Sequence, residues 1–419
     1  MTLPTLIKHS TTAAATPGAM QAGQIAINEA DSLWYYRNAA GTVVATPIGH
    51  MLADLNVIIN GAGEVAQWGT GGFTTSGTAS AGYGLDQWQV SKSQATMQLT
   101  LLQTTASGVA LFPTWIKNGA PTGFSGAFAA GDYVIAMQQP IEGLRWAPLG
   151  FGAAGARTVN IGFWAASNLA SQIIAVSLSN GATANRSYVV DVTLGGAGIW
   201  TWNVVSIPGD TAGTWATDNS NAATLRFASK GGSTLQVPAT GAWQAANYTH
   251  SASTTNVYAT TNNWIGVTGV IITVAEVPPN ASATAAPNAR RFFRPFNQEM
   301  TICQRYYEKS YLYETNPGTA SNNIGPTGFG VSLPSASGSS QYGTAHFRTT
   351  KRALPTMTAY SIITGTSGQA RDVINNADVA CSGMGGVQPG PGAWAVGCAP
   401  SVSGTTDAFA FHWVADARL

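Results

Sequence analysis

Charge is scarce in this chain. Lys plus Arg number 19 and Asp plus Glu 18 in 419 residues, so charged side chains make up 9% and the net charge is +1. An ordinary soluble domain carries about 25%. Helices need Glu, Lys and Arg for their wet faces, so a mainly helical architecture is excluded. A basic stripe is also missing, which excludes nucleic-acid binding as the main role. The densest cationic run, Arg290-Arg291-Phe292-Phe293-Arg294, is too short to make one.

Cysteine is nearly absent. Cys303, Cys381 and Cys398 are an odd number with no C-x-x-C pair, which argues against a disulfide framework or a zinc site. A Cys381–Cys398 bridge is possible. In a reducing compartment, three buried free thiols are the expectation. No apolar run approaches the roughly 18 residues of a membrane span, and Met1-Thr2-Leu3-Pro4-Thr5-Leu6-Ile7-Lys8 lacks a signal peptide's apolar stretch. Assembly in a cytoplasm without membrane insertion is therefore expected. No G-x-x-x-x-G-K-S/T loop is present. No cofactor and no metal are expected.

What fills the chain is Gly, at 48 residues, with Ala, Thr, Ser and Asn. Turn-forming and small β-branched residues suit many short strands. So little charge also leaves little self-repulsion, which fits a chain that buries surface between copies of itself.

The strand rhythm divides the chain. Residues 1–50 read as small β-units, with Ile25 and Ile27 alternating in Gly23–Asn28, then Leu33–Arg37 and Thr42–Val44. So short a segment is stable mainly against copies of itself or a docking partner. Residues 51–64 read as a connector. Residues 65–278 read as one all-β domain, a two-sheet jelly roll. Its strands include the alternating Ala95–Leu101, then Tyr133–Met137, Val159–Trp164, Ile173–Leu178, Tyr188–Leu194, Trp200–Ile207 and Val270–Val274. Residues 279–296, with Pro279, Pro287 and Pro295, read as a linker. A helix is predicted over 297–310, capped by Asn297, with Met300, Cys303 and Tyr307 on one face. It opens a C-terminal domain, 297–419, whose final strand alternates Phe409, Phe411 and Trp413. His412, on the other face, is expected to be exposed or at a subunit interface.

Three groups of residues, in order, carry a resemblance. Ile7-Lys8-His9-Ser10, Gly23–Asn28 and Leu33–Asn38 are similar to the N-terminal "G-E-I-A-I-N…L-Y-Y-R" repeats of phage fibres, with Gln24 where an acid is usual. Asp86-Gln87-Trp88, Gln138–Glu142, Gly162–Ala165, Thr214-Trp215 and Ile265–Val270 follow the order of their carbohydrate-binding-like jelly rolls. Here Ala275-Glu276-Val277-Pro278 stands where that family tends to a Gly-rich end. Glu299–Ser310 resembles "E-L-x-x-C-Q-R-Y-Y-x-K-S", and His412–Ala417 resembles the family's closing strand. The chain thus resembles phage tail-fibre and related virion proteins.

The resemblance implies a mainly β homotrimeric virion fibre. Residues 1–50 would anchor it to phage tail or head proteins, the 297–310 helix face would lie at the trimer axis, and residues 297–419 would be the distal, receptor-binding and trimerising domain. A tail fibre binding a host surface glycan is the first expectation. A head fibre or capsid decoration protein is the alternative, and a polysaccharide depolymerase the second. Depolymerase chemistry needs two carboxylates facing one bond. Asp86, Asp132, Glu142, Asp191, Asp210 and Asp218 are the available acids, and most sit in turn contexts. No enzyme is expected. For glycan stacking, Trp243 and Trp264, with Tyr248 and Tyr258, stand near loops, whereas Trp200 and Trp202 are expected to fill the core.

Overall fold

The structure is a computed structural model. It describes residues 7–12, 15–21, 24–28, 33–38, 41–47, 56–69, 71–78, 80–181, 183–274, 290, 292–321, 327–331, 341–383, 390–399 and 407–419. Most of the expected 279–296 linker lies outside the described residues. Within these residues the protein is mainly β, in several sheets, with one helix of more than a single turn.

The first sheet joins β1 (Lys8–Ser10), β2 (Ile25–Asn28), β3 (Leu33–Arg37) and β4 (Val43–Pro47). β1 runs parallel to β2, and the other pairs are antiparallel. The expected strands are present. Ala26, with Tyr35 and Met20, forms the small core. Ile25 is exposed, as are Trp34 and Tyr36 on the neighbouring strand. Cross-strand pairs Ile25–Tyr36 and Ile27–Trp34 therefore make one apolar, uncovered face. Alternation fixed the two faces but not which one faces inward.

A sandwich follows. Its strands are β5 (Phe73–Thr74), β6 (Ser80–Leu85), β7 (Trp88–Lys92), β8 (Gln98–Val109), β9 (Phe112–Thr122), β10 (Val134–Glu142), β11 (Val159–Ser167), β12 (Ile173–Asn180), β13 (Ser187–Thr193), β14 (Thr201–Ile207), β15 (Asn221–Ala228), β16 (Trp243–Gln244) and β17 (Trp264–Thr273). They form a seven-stranded sheet, β16-β13-β12-β15-β10-β7-β6, and a six-stranded sheet, β14-β11-β17-β9-β8-β5. Between them lies one core. Leu99, Leu101, Phe163 and Val267 come from the six-stranded sheet, and Val176, Leu178, Leu225 and Phe227 from the other. Phe163 meets Phe227 edge-on at 5.0 Å across the gap. Strict period-2 alternation puts these residues inside and their neighbours outside. β17 occupies the centre of the six-stranded sheet, between β11 and β9.

The third unit is a C-terminal sheet of β18 (Tyr307–Lys309), β19 (Thr327–Val331), β20 (Gln341–His346), β21 (Thr356–Ser361), β22 (Gln369–Asp372), β23 (Ala377–Gly383), β24 (Ala393–Cys398) and β25 (Asp407–Asp416). Phe409, Phe411 and Trp413 line its core with Trp394 and Val396. Cys381 and Cys398 face each other on β23 and β24 and are joined as a disulfide, so only Cys303 is a free thiol. This corrects the expectation of three thiols, since spacing along the chain says nothing of cross-strand register. His412 is also corrected. It is buried, stacked on Tyr311 with ring centroids 3.8 Å apart, and bonded through its two nitrogens to Ser310 and Ser321 hydroxyls. Burial pulls its pKa down.

The helix, α2 (Phe296–Gln304), follows a single turn, α1 (Gly143–Trp146). α2 is shorter than predicted and starts after Pro295, with no side-chain cap from Asn297. Its apolar face is covered within the chain. Cys303 and Tyr306 are buried against Ile59 and Val65, with Met300 packed beside them. Tyr307 is already in β18 and buried. Met300 and Cys303 thus pack with Ile59 and Val65, and Tyr307 lies against Trp68 at 5.7 Å. The described part of the connector is equally occupied. Asn60 donates to the Val65 and Asp86 carbonyls and accepts from Val65 N–H, fixing a buried turn. From the linker's far end, Phe292 and Arg294 are buried as well.

Candidate functional site

The six expected acids are each held by nearby groups. Asp86 takes the backbone and side-chain N–H groups of Gln67, and burial raises its pKa. Glu142 binds Arg305 through two hydrogen bonds and accepts from the Tyr306 hydroxyl. Asp210 forms a two-pronged pair with Arg186. Asp132, Asp191 and Asp218 are bonded to Ser93, Ser251 and Ser220. These contacts tie loops and strands together, and none aims two carboxylates at a shared open space.

Aromatic side chains on the six-stranded sheet's outward face make a more distinctive arrangement. In β17, Ile265 and Val267 point into the core, so Trp264, Gly266 and Thr268 point out. In β9, Ile116 points in, so Trp115 and Lys117 point out. Register places Gly266 directly opposite Lys117 and Trp264 opposite Gly119. A Cβ at Gly266 would fall 2.6 Å from the Trp115 ring and 3.0 Å from the Trp200 ring. The missing side chain is therefore the space in which both indoles lie.

The rings form one patch. Trp115 meets Trp200 edge-on at 5.4 Å and Trp264 at 5.1 Å. The Lys117 ammonium lies 5.9 Å from the Trp115 ring centre and 6.0 Å from that of Trp264. Trp164 and Trp202 extend the patch at 5.6 Å from each other. Trp115 and Trp164 are buried as its base, while Trp200, Trp202 and Trp264 are half-buried. Exposed Ile199 and Val204 flank it. The other part of this outward face is covered, because Phe292 and Ala62 pack on Phe112 and Ile271 there.

Such a patch offers flat apolar surfaces for the C–H face of a sugar ring, with an ammonium to reach hydroxyl groups. The four expected ligand residues are not gathered around it. Trp264 belongs to it. Trp243 is half-buried on the edge strand of the other sheet, donating to the Pro208 carbonyl and packed edge-on against Trp215 and Tyr188. Tyr248 is half-buried over Val189 and Val237. Tyr258 is wholly buried in the sandwich core, and burial pushes its phenol pKa up, so it presents no surface to a ligand. Trp200 and Trp202 lie outside the core that they were expected to fill. The usable signal was parity. Each Trp of the patch alternates with a β-branched or small residue of the inner face, and a glycine sits in the same strand as Trp264.

No family model matches the chain, and no curated protein matches it in sequence. Among solved structures it is similar to the enzymatically active domain of bacteriophage CBA120 tailspike protein 4, at 13% identity and TM-score 0.28, over 52% of this chain and 21% of that one. The chain thus spans about a fifth of that tailspike's length. It is also similar to a family 11 carbohydrate-binding module from Clostridium thermocellum, at 12% identity and TM-score 0.24, over 45% of this chain and 90% of that one. TmCBM61, solved with β-1,4-galactotriose, gives 12% identity and TM-score 0.24, over 52% and 97%.

Proposed function

We propose that the protein is a structural component of a phage virion, a homotrimeric tail fibre whose sandwich binds a host surface glycan. The observation that carries the binding reading is the patch of Trp115, Trp200 and Trp264 around Gly266, because half-buried indoles on an open sheet face expose apolar area that the fold itself does not need to expose. Its anchoring part is residues 1–50. The support there is the uncovered face of Ile25, Trp34 and Tyr36 on a sheet too small to be stable alone. The motifs shared with phage fibres support the virion setting, and the low charge supports close packing of copies.

Binding of the full chain to host-cell surface polysaccharide, compared with a Trp200→Ala/Trp264→Ala double variant, tests the reading. Binding by the parent chain and a loss of about thirtyfold or more in the variant is expected, since removing anchor aromatics costs about 2 kcal/mol or more. Equal binding by both would overturn the patch as the site. Mass measurement in solution should give a trimer, and a monomer at high concentration would remove the fibre assembly.

A further inference from the structure

The outward face of the seven-stranded sheet differs in kind from the tryptophan patch. Its register lines up one row across five strands. Val189 of β13 lies opposite Ser177 of β12, Ser177 opposite Arg226 of β15, Arg226 opposite Gln138 of β10, and Gln138 opposite Gln89 of β7. Leu225 and Phe227 point into the core, so Arg226 points out. The next outward pair is Ser179 opposite Thr224.

Arg226 is half-buried, yet among the described residues its guanidinium makes a single hydrogen bond, from Nη1 to Asn247 Oδ1 at 2.8 Å. Among the described residues no carboxylate pairs with it, and burial alone pulls its pKa down to about 10. Beside it the hydroxyls of Ser177 and Ser179 are fully buried and have no hydrogen-bond partner among the described residues. The neighbouring amides are committed elsewhere. Gln138 donates to Gln89, and Gln89 donates to the Leu419 carbonyl. Asp191, the acid farther along β13, is held by both oxygens to Ser251. Asn247 itself is fixed by its loop, because Ser187 Oγ donates to the Ala246 carbonyl and accepts from Tyr248 N–H.

A partly desolvated cation without a counter-charge, next to two unused hydroxyls, is costly to keep. A fold that needed only packing here would be served by Met or Leu. Arg226 still has its Nε and Nη2 donors unused, and adjacent guanidinium N–H groups match the two oxygens of a carboxylate. We propose that this face is a second, separate binding site, in which Arg226 grips the carboxylate of an acidic saccharide. Only the choice of a saccharide rests on the glycan-binding reading. The anion requirement rests on Arg226.

Calorimetric titration of the full chain with a uronic-acid oligosaccharide, its neutral counterpart and inorganic phosphate tests this, using the parent chain, Arg226→Met, Arg226→Lys and Trp264→Ala. The parent chain should bind the acidic saccharide in preference to both other probes. Arg226→Met and Arg226→Lys should each weaken it by about tenfold or more, because Lys cannot offer the two-pronged contact. Trp264→Ala should weaken stacking of either saccharide at the tryptophan patch and leave the preference for the acidic one in place. Undiminished binding by the Arg226 variants, or no binding by the parent chain at millimolar ligand, overturns the site. Equal binding of phosphate overturns the saccharide assignment. Loss of neutral-glycan binding in Trp264→Ala alone tests the tryptophan patch, so the two readings fail separately. Arg226→Lys keeps the charge, which maintains the test if Arg226→Met misfolds.

Discussion

The two outward faces of the sandwich share one core and diverge completely. The six-stranded sheet turns tryptophans outward around a glycine, with one ammonium above them. The seven-stranded sheet turns out a row of Ser, Arg and Gln, part of it roofed by the segment that carries Val237, Tyr248 and His250. The inner residues of both sheets are interchangeable aliphatics and aromatics, fixed by the need to fill one space. The outer residues are under no such constraint, so their chemistry records what each face meets.

The largest expected effect comes from filling the glycine. Gly266→Val should push the Trp115 and Trp200 rings apart and weaken binding at the patch by about thirtyfold, with a stability cost of about 1–3 kcal/mol. Thermal melts and glycan titration of the same sample check both. Normal binding with displaced indole fluorescence would break the claim that the ring arrangement matters. On the other face the sign should reverse. Arg226→Met removes a poorly compensated cation and should raise stability by about 1 kcal/mol in denaturant melts. A drop instead would mean that Arg226 serves the fold. A pH effect concerns the roof. Burial pulls the His250 pKa from 6.5 down to about 4. The folded state therefore resists a proton that the unfolded state accepts. Its contribution is intact above about pH 6.5, declines as pH falls below that, and levels off near pH 4. Melting temperature should drop over that window, and less so in His250→Asn. Equal drops in both would place the pH sensitivity elsewhere.

Much of this was legible in sequence. Strands such as Ile173–Leu178 and Val159–Trp164 were legible because a buried sheet writes a run of apolar residues. The faces were harder. Ile25 and Ile27 alternate as a strand should, but a small sheet can expose its larger side chains. Trp200 and Trp202 were assigned to the core on size alone, though Val205 and Ile207, of opposite parity, show which side of β14 is inside. The surroundings of Cys303 and Tyr307 were not legible either, because nothing local reveals that Ile59 and Val65 pack on Cys303 or that Trp68 lies against Tyr307. The row through Arg226 could not be seen at all, since it is assembled from β7, β10, β12, β13 and β15 by register.

The position of β17 carries a consequence for synthesis. Its residues emerge from the ribosome long after β9 and β11, the strands that it must join. Until then the nascent chain holds two open sheet edges and an apolar interior that lacks Ile265, Val267, Val270 and Ile272. Completion of the sheet waits on distant pairing, which is slow. Yield of the native protein should therefore depend on how quickly translation delivers Trp264–Thr273, and on what shields those edges in the interval.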